Sequence, residues 1–240
     1  MGVQPACFMT IILAKIVLIA IIGYLWGSIP SGYWMGKLLR GKDFDIRDYG
    51  SHKTGATNVR RMLGNGPAAL VLVIDLSKGA GPVLLATLIP FLYISGWGPT
   101  VAGIAALLGH SFPIFIGFRG GRGVMTGAGA ILVTSPLTIL IAAVTTISTI
   151  AISRYVSLGS IVGALTSIIC GIIFYFISQS YPTFFGHTSL AQMILLVVVP
   201  GLVILFHYDN IGRLLAGKER KLGQKEVVTP PPNTSSDAQA

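Results

Sequence analysis

The sequence predicts an all-helical integral membrane protein: a polytopic bundle of about seven transmembrane helices, with the N-terminus outside and the C-terminus in the cytoplasm. Hydrophobic residues make up 52% of the 240 and charged residues only 10%, against about 25% charged in soluble domains. The mean hydropathy is +0.76, and several apolar runs approach the roughly 20 residues that cross a hydrocarbon core. The net charge of +9 gathers almost entirely in links between those runs. Such a distribution suits cytoplasmic loops facing anionic headgroups, so the expected partner is the lipid bilayer and not nucleic acid.

The first run, about Ile16 to Met35, lacks a basic segment before it and an A-x-A cleavage site, and reads as a retained first span. A polar stretch from Lys37 to Gly66 follows. The second run, about Pro67 to Ile94, is interrupted by Asp75 and Lys78, and the third covers about Pro99 to Ile116. After the loop Gly117 to Gly123, apolar sequence continues to Ser153, broken by Thr134-Ser135-Pro136. Further runs span about Val156 to Ile177 and about Leu190 to Phe206.

Basic residues orient the chain. Lys37, Arg40, Lys42, Arg47, Lys53, Arg60 and Arg61 crowd the first loop; Arg119, Arg122, Arg154 and Arg213 to Lys225 mark the others. The segments near Ser95 and from Ser180 to Ser189 carry none, which puts them outside. Arg119 and Arg213 must then be separated by an even number of crossings. Splitting the long region at Pro136 into a short span ending near Val133 and a second from about Leu137 satisfies this and makes seven; five is the alternative, if the short segment is re-entrant and a neighbour merges. Residues 1–222 form one membrane-embedded domain, and the polar, proline-containing tail 223–240 is expected to be disordered. Cys7 and Cys170 read as packing residues, with no metal-ligand spacing.

Three polar segments share the cytoplasmic side. The first runs from Asp45 to Arg61 and contains Gly50-Ser51 and Gly55-Ala56-Thr57-Asn58. Its small residues can present backbone N–H groups, and Arg60 or Arg61 adds a fork of donors, the makings of a phosphate cradle. A solvated basic loop that only fixes topology would look the same. The second is Gly117-Phe118-Arg119-Gly120-Gly121-Arg122-Gly123, where glycines permit close backbone approach to an anion. It is neither a P-loop nor a dinucleotide fingerprint. The third is His207-x-x-Asn210-Ile211-x-Arg213. If the last span continues as a helix, His207 and Asn210 share a face, and the imidazole could orient or deprotonate a hydroxyl. Asp75 and Lys78, three apart within a span, read as a buried structural pair or as a steering element for an anion. His110 reads as a packing residue.

Taken together and in order, these motifs, with Gly109-His110, Phe112-Pro113, Gly217 and Glu219, resemble the bacterial acyl-phosphate:glycerol-3-phosphate acyltransferase family from about Gly27 to Lys221. The resemblance implies transfer of a fatty acyl group from acyl phosphate to glycerol 3-phosphate, giving lysophosphatidic acid and phosphate, the first step of phospholipid synthesis. It implies a site on the cytoplasmic face of the bacterial inner membrane and no metal or other cofactor. On this reading Ser51, Gly55, Ala56, Thr57, Asn58 and Arg61 bind the acyl-phosphate phosphate. Gly120, Gly121, Arg122 and Gly123 hold glycerol 3-phosphate, with Arg213 beside them. His207 and Asn210 orient or activate its hydroxyl. Ser51, Arg61, Arg122, His207 and Asn210 are the catalytic candidates. The family often has Asn where Lys53 stands, and Lys where Arg119 and Arg122 stand. A transporter of a small phosphorylated anion is the competing reading; against it, the polar groups lie at one face and no internal repeat is visible.

Overall fold

In a computed structural model, residues 5–181 and 188–224 are described. The side chain of Cys7, His187 and the tail from residue 225 lie outside them. Among the described residues ten α-helices follow one another: α1 (Pro5–Gly27), α2 (Ser31–Arg40), α3 (Ala56–Leu63), α4 (Asn65–Leu88), α5 (Trp97–Ser111), α6 (Val124–Thr134), α7 (Pro136–Ser153), α8 (Val156–Ser180), α9 (Leu190–Leu205) and α10 (Tyr208–Leu215). There is no strand among the described residues.

The expected boundaries have local causes. Pro136 starts α7, where its missing N–H costs nothing and its φ suits a first turn. Arg154 ends α7 in the left-handed region at φ 63°. The Ser189 hydroxyl accepts from Gln192 N–H and caps α9. Five helical segments are long and apolar enough to cross a membrane, the first being α1 continued by α2; α9 with α10 makes a sixth. The remaining expected span, α6, has 11 residues. At 1.5 Å per residue it rises about 16 Å, half a hydrocarbon core. Among the described residues five helical segments, or six with the bent pair, are thus long and apolar enough to cross, and α6 is a shorter apolar helix beside them.

Long apolar side chains such as Leu140, Ile147, Ile169 and Phe176 are exposed on the outer helices. In water such a surface would be a liability; in a bilayer it meets lipid tails. Without a hydrophobic drive between helices, close approach rests on small residues. α1 packs on α5 through Gly27 and Gly109: a Cβ at these positions would lie 2.1 Å from the Ala106 carbonyl and 2.2 Å from that of Tyr24. α4 and α6 meet in the same way. The interior holds Leu107, Ile131, Leu195, Leu196 and Val199 between α5, α6 and α9. A separate cluster of Met35, Ile46, Val59, Ala68 and Val71 makes the segment containing α2 and α3 a firm cap on one end of the bundle. Cys170 is buried in α8, as a packing residue should be.

The last span is not one straight helix. α9 and α10 are bent by 57° at a break containing His207, so His207 occupies a hinge and not the middle of a helix face.

Candidate active site

The three polar segments converge. A cavity of about 420 Å³ is lined by Ser51, Gly55, Ala56, Thr57, Asn58 and Arg61 of the first, Arg122 and Gly123 of the second, and His207, Asn210 and Arg213 of the third. A smaller one of about 310 Å³ adjoins it, with Gly120 and Arg119 in its wall and Ser51 and Arg213 common to both. Gly121 lines neither.

The first loop is built around Asn58, which is 1% exposed. Its Oδ1 accepts from Ser51 N–H, and its Nδ2 donates to the carbonyls of Ile46, Tyr49 and Lys53. All the hydrogen bonds of that amide are made within the loop, so the Asn58 side chain shapes the wall it contributes to the cavity. Arg47 clasps Asp45 and donates from Nη1 to the Ile116 carbonyl at 2.6 Å, tying this loop to the second. What remains for an anion is the start of α3. Gly55 provides no side-chain cap, so the first N–H groups of the helix point outward at its positive end, with Arg61 one turn along.

The second loop needs glycine for a different reason from the one its sequence suggests. The N–H groups of Gly120 and Gly121 donate to the carbonyls of Ser111 and His110, at 3.1 and 3.2 Å. They are therefore not a free cradle. The loop folds flat against the end of α5: a Cβ on Gly120 would lie 2.1 Å from the His110 carbonyl, and one on Gly121 2.2 Å from its Nε2. The two glycines let the loop lie close enough to present Arg122. Gly123 then starts α6 at φ 76°, also uncapped, so a second helix N-terminus opens on the cavity through Val124 and Met125.

The third segment is organised by Glu219. Its Oε1 accepts from Ser157 Oγ and Asn210 Nδ2, both at 2.7 Å, and its Oε2 from Arg213 Nε at 2.8 Å. Burial alone would raise the Glu219 carboxyl; these hydrogen bonds outweigh it and hold the group below its ordinary range. Arg154 and Leu222 exchange two further hydrogen bonds that pin the segment after α10. Glu219 appears in the sequence motif without a role, and Ser157 gives no sequence signal at all. A serine near a helix start is too common to single out.

Two orphaned groups define what the cavity can hold. Arg122 Nε is buried and has no partner among the described residues. Burial, and then the charge of Arg213, push its guanidinium below the ordinary value, and Lys53 is lowered likewise, by burial and then by Arg122. This is a cluster of cations with too little opposing charge. Asn210 Oδ1 is also buried and unpartnered. Because a carboxylate only accepts, Glu219 fixes Nδ2 toward itself and leaves Oδ1 as an acceptor. His207 Nδ1 lies 2.7 Å from the Val203 carbonyl, which requires a proton on Nδ1 and makes Nε2 the nitrogen able to accept one. Leu72, Val124, Met125, Ile150 and Val156 complete an apolar wall. The arrangement suits an anionic group, a hydroxyl and an apolar chain held together.

A family model for glycerol-3-phosphate acyltransferase matches residues 17–217. The glycerol-3-phosphate acyltransferase of Thermoanaerobacter sp. (strain X514) is 42% identical over 212 residues, covering 88% of this chain and 98% of its own. That of Shouchella clausii is 39% identical over 220 residues, covering 90% and 100%. Crystal structures of PlsY (YgiH), an integral membrane glycerol 3-phosphate acyltransferase, are similar at 34% identity over 87% of this chain. The glycerol 3-phosphate form covers 96% of its own chain with a TM-score of 0.74, and the lysophosphatidic acid form 95% with 0.73.

Proposed function

The chain belongs to the glycerol-3-phosphate acyltransferase family, as its three motifs suggest, and from that premise we propose that it transfers a fatty acyl group from acyl phosphate to glycerol 3-phosphate. The products are lysophosphatidic acid and phosphate, and the reaction takes place at the cytoplasmic face of the bacterial inner membrane. The observation that carries this reading is the pair of orphaned groups in one cavity. Arg122 Nε is a cationic donor lacking an acceptor and Asn210 Oδ1 an acceptor lacking a donor. A phosphate and a hydroxyl on one small molecule satisfy both.

Acyl phosphate is already activated, so no covalent enzyme intermediate is needed. The glycerol 3-phosphate phosphate sits on Arg122, with Arg213 adjacent. Its hydroxyl hydrogen-bonds to Asn210 Oδ1 or to His207 Nε2, which takes the proton as the oxygen attacks the acyl carbonyl carbon. The C–O bond to phosphate breaks, and inorganic phosphate leaves from the start of α3 and Arg61. The acyl chain runs along the apolar wall. Two helix N-termini and several cations, fixed before substrate arrives, supply positioning and charge stabilisation.

Purified protein in detergent, given palmitoyl phosphate and glycerol 3-phosphate, is expected to form lysophosphatidic acid and phosphate in equal amounts. No product from folded protein sinks the proposal, and anion uptake into proteoliposomes would then test the transporter reading.

A further inference from the structure

A buried ionic cluster borders the site, and two of its members, Asp75 and His110, line the cavity. Asp75 and Lys78 of α4 are 3% and 2% exposed, in a segment that crosses the bilayer. Lys78 Nζ donates to Asp75 Oδ1 at 2.6 Å and to Ser31 Oγ at 3.0 Å, and Ser31 Oγ donates to the same carboxylate oxygen at 2.6 Å. Charges at such depth are costly, and an ion pair there is weak support for stability. Its connections suggest what else it does.

The Gly117–Gly123 loop joins the end of α5 to the start of α6, and Asp75 touches both ends. His110, in the last turn of α5, places Nδ1 3.8 Å from Asp75 Oδ1. Thr126, in the first turn of α6, donates from Oγ1 to the Asp75 carbonyl at 3.1 Å. The other edge of the His110 ring is the surface on which Gly121 lies, and the His110 carbonyl accepts the Gly121 N–H. One α4 residue therefore adjoins both supports of the loop carrying Arg122, through its carboxylate at His110 and its backbone carbonyl at Thr126.

We propose that Asp75, Lys78 and His110 form a positioning network that aims Arg122 and so sets affinity for glycerol 3-phosphate. This rests on the acyltransferase reading given above. A misplacement of about 1 Å costs on the order of 100-fold in a positioned reaction, and here the loss falls on the substrate that Arg122 holds.

The test compares wild type, His110→Ala and the double variant Asp75→Leu/Lys78→Met in the palmitoyl phosphate assay, with thermal melts of each. Replacing both members of a buried pair by apolar residues is often neutral for stability, so the double variant separates folding from positioning. Each variant is expected to raise KM for glycerol 3-phosphate about 10- to 100-fold, with KM for palmitoyl phosphate and kcat within about threefold of wild type. Combining all three changes should add little, because they act through one loop. A folded His110→Ala or double variant with wild-type KM for glycerol 3-phosphate overturns the proposal, as does failure of both to fold, which would make the cluster purely structural. An inactive wild type would instead overturn the acyltransferase reading itself.

Discussion

Replacing Arg122 with methionine should abolish activity while leaving the fold as stable as before or more so. Methionine keeps most of the apolar stem and removes the guanidinium. That group has a buried, unpartnered Nε and sits close enough to Arg213 and Arg61 for their charges to lower its affinity for a proton, after burial itself. In the empty protein it is an unsatisfied buried donor in a cationic cluster, costing about 1–3 kcal/mol. With substrate it becomes a bidentate, charge-assisted partner of a phosphate, about 1.5–3 kcal/mol for each of two hydrogen bonds. Loss of both is about 3–6 kcal/mol, or about two to four orders of magnitude in kcat/KM for glycerol 3-phosphate at about 1.4 kcal/mol per tenfold. The assay is phosphate release from palmitoyl phosphate over a range of glycerol 3-phosphate concentrations, beside a thermal melt in the same detergent. A variant with kcat/KM within about threefold of wild type, or one that unfolds markedly earlier, refutes the reasoning, since Arg122 would then be a bystander or a structural ion.

His207→Ala should lower kcat by about 10²–10⁴-fold, the usual range for a general base, measured under saturating substrates. Unchanged turnover would mean that a substrate or product phosphate takes the proton. Gly121→Ala puts a Cβ 2.2 Å from His110 Nε2 and should cost about 1–3 kcal/mol of stability through overpacking, together with a raised KM for glycerol 3-phosphate; a variant that matches wild type in both would show that the loop does not lie flat on His110. For Glu219 the sign follows from its depressed pKa. The folded value is below the unfolded one of about 4.3, so the stabilisation is complete above that value and disappears as pH falls through the folded pKa. Glu219→Gln should flatten the acid limb of the melting profile below about pH 4 and leave the neutral region unaffected by protonation; an unaltered acid limb would dissociate Glu219 from the hydrogen bonds that organise α10.

Much of this was legible in the sequence because it is written in local pattern. Apolar runs, the break at Pro136 and the basic links are read without knowing which helices touch. So are the three motifs, whose donors and cations advertise an anion site wherever they fold. What was hidden depends on tertiary partners. Glycines at 120 and 121 suggest free N–H groups, and only the fold shows those groups given to His110 and Ser111. Asn58 suggests a ligand, and only the loop's curvature reveals that its whole amide is occupied within the loop. The pair Asp75–Lys78 is visible as an i,i+3 spacing, but its reach to His110 and Thr126 crosses helices with no sequence periodicity in common. The bend at His207 has no proline at the break; the nearest, Pro200, lies inside α9.

The most direct measurement is a donor comparison on the purified wild-type protein, with palmitoyl phosphate and palmitoyl-CoA supplied in parallel alongside glycerol 3-phosphate. The predicted result is lysophosphatidic acid from palmitoyl phosphate alone, with one phosphate released per molecule formed. Equal use of palmitoyl-CoA, or no product from palmitoyl phosphate, would contradict the proposal that the cavity holds two phosphates and acts on an already activated acyl group.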